Sequence, residues 1–227
     1  MMLTVNSGRN SAAENMRRDG ELLEELGKEP VLHLYEWASP SATYGYFTQP
    51  GKFLNLEAMS RRGLELARRP TGGGIVFHLW DLAFSFLMPS THPAFSPNTL
   101  ENYRFVNEVV LDVVKEQFSF AEMIPDSFPA QSADCAHFCM ARPTQYDVVY
   151  QGRKIAGAAQ RRRKQGYLHQ GTISLAPPDP ELLKEVLLSP VLEPMLRYSF
   201  ALPTSRSSLQ KLLTEKLDAK LSSNLSR

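Results

Sequence analysis

With 227 residues, 43% of them hydrophobic, the chain has the bulk for one large domain with a proper core, or for one domain and a small appendage. A formal net charge of +1 excludes a general pull on nucleic acid, so any electrostatic recognition is local. No apolar run reaches the roughly 18 residues of a membrane helix, the first twenty residues lack the apolar centre of a secretion signal, and two cysteines are too few for a disulfide framework, which together predict a soluble cytoplasmic protein.

The first predicted element is a helix, opened by the capping-box pattern Ser11-Ala-Ala-Glu14 and stopped by Gly27. Val31, His33 and Tyr35 then alternate with Leu32, Leu34 and Glu36 as a half-buried strand, and the aromatic stretch 42–47 suits another. Residues 68–78, Arg-Arg-Pro-Thr-Gly-Gly-Gly-Ile-Val-Phe-His, set three bare glycine backbones between an arginine pair and an apolar run. Such a loop either cradles a ligand's phosphate through its amides or joins two strands tightly.

Asn98-Thr-Leu-Glu101 opens the clearest helix, with Leu100, Tyr103, Val106, Val109, Val110, Val113 and Val114 on one face. Residues 146–150 and 154–159 flank Gln151-Gly152, a tight hairpin turn with glycine supplying the positive φ. Prolines from Pro177 to Pro203 predict short helices, after which Leu209, Leu212, Leu213, Leu217 and Leu221 form one stripe, to be packed on the body or offered to a partner helix. Helices before, between and after clusters of strands predict an α+β fold, a mixed sheet flanked by helices.

Several residue patterns carry possible chemistry. Lys154 lies in a predicted strand, aligned with Ala156 and Ala158, as a solvated edge lysine or a buried functional ammonium. Arg161, Arg162, Arg163 and Lys164 form either a solvated loop or a contact for an acidic carrier protein; no aromatic platform or nucleic-acid module accompanies them. Cys135, His137 and Cys139 alternate like metal ligands on one side of a strand, yet no second cluster completes a tetrahedral set, so no metal is expected. Each cysteine taken alone reads as a small buried hydrophobe, and His78 and His169 as satisfied structural histidines.

The blocks 68–78 and 146–175, together with Asn15, Met16 and Asp19 near the N-terminus and Trp37, Gly45, Tyr46, Phe47 and Gln49 after it, resemble the biotin/lipoate protein ligase family in its lipoate and octanoate branch. The resemblance runs from about residue 11 to 175 with the motifs in the family's order. It implies a biotin/lipoate ligase-like catalytic domain over residues 1–178 and a short helical extension over 179–227, packed on it without a full accessory domain. It also implies that Arg69, Thr71, Gly72, Gly73 and Gly74 bind substrate, the glycines against a linear C8 chain. His78, Gly157, Ala158, His169 and Gly171 complete that implied site, and Lys154 contacts the acyl carbonyl.

Members of this family reach one product by two chemistries. Ligases activate free lipoate or octanoate with ATP and Mg; transferases hold octanoate from acyl carrier protein as a cysteine thioester and need no cofactor. Cys139 stands four residues before Pro143-Thr144-Gln145-Tyr146-Asp147, similar to the cysteine-dependent branch, with Thr144 and Asp147 as conservative departures. The ligases' Arg-Asn-Asp is replaced here by Gln145-Tyr146-Asp147, and only a short stretch follows Leu175. The resemblance thus implies catalytic Cys139, with Lys154 beside it to favour the thiolate. Cys135 remains open as the alternative nucleophile. The acceptor is a lysine on lipoyl domains of 2-oxoacid dehydrogenases or on the glycine cleavage H protein, and a monomer is expected, without nucleic acid or membrane partners. One departure stands out: the aspartate expected after His78 is replaced by Leu79, so that Asp81 substitutes for it or the chain is a non-catalytic acyl or lipoyl-domain binding paralogue. An ATP-dependent ligase needing a separate accessory chain is the other alternative.

Overall fold

The computed structural model describes residues 1–79, 81–125 and 133–225. In chain order its elements are β1 (Leu3–Asn10), α1 (Ala12–Glu24), β2 (Val31–Trp37), β3 (Ser41–Tyr44), α2 (Leu56–Arg61), β4 (Glu65–Arg68), β5 (Ile75–His78), β6 (Asp81–Pro89), α3 (Thr99–Gln117) and β7 (Glu122–Met123). There follow β8 (Val148–Tyr150), β9 (Arg153–Arg163), β10 (Gly166–Ser174), α4 (Pro180–Val186), α5 (Leu192–Tyr198) and α6 (Arg206–Leu225). Among the described residues they form a seven-stranded sheet, β1-β2-β6-β10-β9-β8-β7, and a three-stranded sheet, β4-β3-β5. Each sheet mixes one parallel pair, β1 with β2 and β3 with β4, with antiparallel ones, so the fold is the expected α+β with mixed sheets and flanking helices. No helix among the described residues is long and apolar enough to cross a membrane.

The predicted caps hold. Ser11 accepts from the Glu14 amide at 3.2 Å and Asn98 from the Leu100 amide at 2.9 Å, each satisfying a donor that the helix start leaves over. Gly27 is not the stop: α1 ends at Glu24, Glu25 caps it by bonding back to Glu21, and Gly27 has no left-handed φ. Strand β2 is not half-buried either. Leu32 and Leu34 join a core with α3 and α6, while Val31 packs with Leu22 and Leu23 of α1, because β2 lies inside the sheet with helices on both faces. On α3 the valines are buried as predicted, but Leu100 is 48% exposed. The leucine stripe of α6 is used within the chain: Leu209, Leu213, Leu217 and Leu221 are buried in the core that α3 shares.

Two irregularities bear on the site. At the hairpin between β8 and β9 both turn residues are left-handed, Gln151 at φ 49° and Gly152 at φ 73°, the pairing of a two-residue turn that matches strand twist. Just beyond it Val149 pairs with Lys154 but Val148 with Ala156, so β9 carries one extra residue. That bulge overturns the simple alternation, and the Lys154 side chain lies over Gly157 and not in line with Ala156. The cationic run is likewise not a loop, since Arg161, Arg162 and Arg163 are the last residues of β9.

Candidate active site

The cavity lies between the two sheets, on the α1 side. Along β10 the side chains alternate: Tyr167 and Ile173 enter the core shared with α3, whereas Leu168 packs with α1 residues and Gln170 and Thr172 line a cavity partly open to solvent. Met16, Tyr35 and Trp37 wall one side of it, Thr43, Val76 and His78 of the small sheet another, and Lys154 with residues 157–159 a third. Cys139 and Arg69 complete the lining. The walls are mainly apolar with a few converging polar groups, the usual character of a small-molecule site.

Backbone pairing delivers Cys139. Its amide donates to the Ile75 carbonyl at 3.1 Å, so the segment after the 3-10 turn Asp134–His137 docks along β5. The alternation proposed for Cys135, His137 and Cys139 fails because a 3-10 turn is not a strand: Cys135 is buried among Ile75, Phe138 and their neighbours, His137 stacks on Phe53 at 4.4 Å, and Cys139 lines the cavity. Neither cysteine is in a disulfide, and among the described residues no three His, Cys, Asp or Glu side chains converge as a metal site.

Lys154 is buried and paired with Asp147, Nζ to Oδ2 2.7 Å, and Nζ donates to the Cys139 carbonyl at 3.2 Å. Asp147 also accepts from the Thr144 amide at 2.7 Å and the Thr144 hydroxyl at 2.8 Å, and the Tyr103 hydroxyl, which donates to the Ala158 carbonyl at 2.8 Å, stands 3.2 Å from Oδ1. The same Tyr103 hydroxyl accepts from the Ala158 amide at 2.9 Å. Burial, then the Asp147 charge, pushes the Tyr103 phenol well above its ordinary value, so it stays protonated. Sequence reasoning passed over Asp147 as a partner of Lys154 and missed Tyr103, whose position on the buried face of a predicted helix was the available signal.

The glycine loop braces Arg69. Gly72, Gly73 and Gly74 are not among the cavity's lining residues. Instead the Gly72 and Gly74 carbonyls accept from Arg69 Nη2 at 3.1 and 2.8 Å, while Thr43 takes Nη1 through its carbonyl and hydroxyl at 3.1 and 2.8 Å. A Cβ on Gly74 would lie 2.2 Å from the His137 carbonyl oxygen, and one on Gly45 1.9 Å from that of Gly73, so both glycines are needed for backbone to meet backbone. A Cβ on Gly73 would stand 3.3 Å from Arg69 Nη2 and 3.8 Å from Cys139 Sγ, which brings the guanidinium and the thiol to one spot. Burial lowers the Arg69 guanidinium from its ordinary value, with Cys139 and Tyr35 working the other way.

The remaining expected residues divide. Thr71 is fully buried, and its hydroxyl donates to Gln170 Oε1 at 2.6 Å; the Gln170 amide in turn donates to Asp19 at 2.6 Å, which fixes that cavity wall. His78 bonds Asp81 Oδ2 through Nδ1 at 2.6 Å and Thr43 through Nε2 at 2.8 Å. Asp81 therefore meets His78 although two residues displaced, β5 and β6 belonging to different sheets. Gly157, Ala158 and Gly171 line the cavity; His169 does not, lying on the α3 face of β10 beside Tyr103 and Phe84.

Residues 11–220 match the family profile of the lipoyl protein ligase A/B catalytic domain. Curated relatives include the octanoyltransferase LipM of Kyrpidia tusciae, 34% identical over 82% of this chain and 70% of the relative, and that of Lysinibacillus sphaericus, 32% identical over 93% and 75%. In solved structures the fold recurs in a lipoate-protein ligase A bound with ATP, at TM-score 0.77 and 22% identity, over 97% of this chain and 85% of that one. It recurs also in a bi-partite lipoate protein ligase of Thermoplasma acidophilum, described with its E2 lipoyl domain, at TM-score 0.75 and 22% identity over 98% and 84%.

Proposed function

Because the chain belongs to the lipoyl protein ligase A/B catalytic-domain family, we propose that it moves an octanoyl group from acyl carrier protein to a lysine of a lipoyl domain, holding it in between as a thioester on Cys139. The observation that carries this reading is the placement of Cys139 in the apolar cavity, with Arg69 and Lys154 lining the same space, while Cys135 sits in the core. The chemistry needs a nucleophilic sulfur, a water-poor channel for an alkyl chain and positive charge for the carbonyl oxygen as it gains charge. Lys154 suits the last role, held in place by Asp147 and the Cys139 carbonyl.

Both donor and acceptor are carried on protein domains that are commonly acidic, and the end of the β9–β10 hairpin offers a cationic, aromatic surface for them. Arg163 and Lys164 are exposed there; Tyr46 is flanked by Arg68 at 4.7 Å and Arg161 at 5.1 Å, next to Phe47 at 89% exposure. Local charge of this kind raises association rates.

Intact-mass measurement of the purified protein with octanoyl-acyl carrier protein, and separately with lipoate, ATP and Mg, tests the reading, each with and without a lipoyl domain. An octanoyl adduct lost in Cys139→Ala and passed to the acceptor is the expected result. Acceptor modification that requires ATP and persists in Cys139→Ala identifies a ligase instead, the reading that the ATP-bound relative of this fold suggests; acceptor binding without modification in either mixture identifies a non-catalytic paralogue.

A further inference from the structure

Arg69 is a buried cation, 5% exposed; among the described residues its backbone and hydroxyl acceptors, on Thr43, Gly72 and Gly74, are all neutral and its Nε has no partner. A buried charge is ordinarily paired, since leaving water costs more than neutral acceptors return. Lys154, the residue expected from sequence to serve the sulfur, is already neutralised by Asp147, and its bond to Cys139 reaches the backbone carbonyl, not the side chain. The Cys139 sulfur stands at Gly73, where a Cβ would lie 3.8 Å from Sγ and 3.3 Å from Arg69 Nη2. We propose that Arg69 is the charge partner of the Cys139 sulfur: the glycine loop holds the guanidinium in place, and the thiolate supplies the anion that this buried cation lacks.

The assignment deepens the thioester reading and rests on it for its catalytic meaning. In the first half-reaction the Cys139 thiolate attacks the carrier's thioester carbonyl; the new C–S bond forms, the carrier's C–S bond breaks, and the departing carrier thiolate takes up the proton that Cys139 released. The neutral thioester leaves Arg69 without its anion. In the second half-reaction a neutral lysine amine attacks, the C–N bond forms, the Cys139 C–S bond breaks, and the amine's proton passes to water. The sulfur returns as the thiolate opposite Arg69, so the same guanidinium favours both the attacking group and the leaving group.

Peptide-resolved alkylation of the full chain by iodoacetamide at pH 7 reads the sulfur directly, without depending on transfer. Arg69→Gln is expected to slow Cys139 alkylation about tenfold or more, and Arg69→Lys about threefold, because a point charge keeps the sign but not the fork of bonds. The charge-neutral double variant Asp147→Asn/Lys154→Met is expected to change the rate by less than about twofold. A wild-type rate in Arg69→Gln, or an equal slowing in the double variant, overturns the assignment. Should Arg69→Gln fail to fold by circular dichroism, Arg69→Lys carries the comparison, and an unchanged rate there overturns it too. The thioester reading fails separately, by transfer surviving in Cys139→Ala, whatever the alkylation rates.

Discussion

Asp147 Oδ2 lies 2.7 Å from Lys154 Nζ with both side chains buried, and the carboxylate also accepts from the Thr144 amide and the Thr144 hydroxyl. The two charges are thus satisfied as a unit, and removing one strands the other. Lys154→Met is expected to cost about 3–5 kcal/mol in urea unfolding. Asp147→Asn/Lys154→Met is expected to recover most of that loss while transfer stays absent. Equal stability of the single and double variants would show that Asp147 finds its counter-charge elsewhere.

The glycines of residues 72–74 separate into a packing position and an open one. At Gly74 a methyl group meets the His137 carbonyl at 2.2 Å and the Phe138 amide at 3.1 Å, so Gly74→Ala pushes away the segment that carries Cys139. About 1–3 kcal/mol of stability should go with it, together with transfer activity. Nothing lies within 4 Å of a Cβ at Gly72, whose φ is not positive, so Gly72→Ala should hold stability to within about 0.5 kcal/mol. A rise in KM at constant melting temperature in Gly72→Ala would then report contact between this loop and the acyl donor.

Local signals were legible in the sequence, and pairings between distant segments were not. Caps at Ser11 and Asn98, the turn at Gln151-Gly152 and the leucine stripe of α6 each depend on residues a few positions apart. Strand β1 escaped notice because its sequence, Leu-Thr-Val-Asn-Ser-Gly-Arg-Asn, lacks a clean apolar alternation; as an edge strand it has little to bury, and a bulge at Ser7 interrupts it. The end of β9 read as a loop because three arginines in a row suit solvent, yet Arg161 and Arg162 bond outward to the carbonyls of Pro70 and Pro97 while the backbone pairs with β10. At the site, the family resemblance named Arg69, Lys154 and Cys139, but which cation faces the sulfur depends on a bulge in β9 and on carbonyls of the glycine loop, neither of which the residue types encode.

The turn at Gln151 offers a gain in stability away from the cavity. Gln151 holds φ 49° although it is not glycine, a conformation that asparagine tolerates better. Its side chain is exposed and outside the cavity lining. Gln151→Asn is therefore expected to raise stability by about 0.5 kcal/mol with transfer kinetics unchanged, read as a higher urea midpoint at constant slope. A lower midpoint would show that the glutamine makes a contact worth more than the relief of backbone strain.

His169 makes stability depend on pH. It is fully buried; Nδ1 lies 2.8 Å from the Gln160 amide nitrogen and so accepts, leaving the proton on Nε2, which has no partner among the described residues. Burial lowers its pKa from 6.5 to about 3, because charging the ring there would forfeit hydration. The unfolded chain binds a proton at this residue below about pH 6.5 while the folded chain refuses it until about pH 3, so its contribution is whole above pH 6.5 and is lost progressively as pH falls towards 3. Between pH 7 and pH 5 the loss is about 2 kcal/mol from this residue alone. His169→Gln keeps a hydrogen-bonding side chain without the titration. Urea unfolding at the two pH values should therefore show a smaller drop in the variant than in the wild type, by about that amount. Equal drops would mean that His169 is protonated in the folded protein at pH 5, and that Nε2 has found an acceptor as the ring takes up charge.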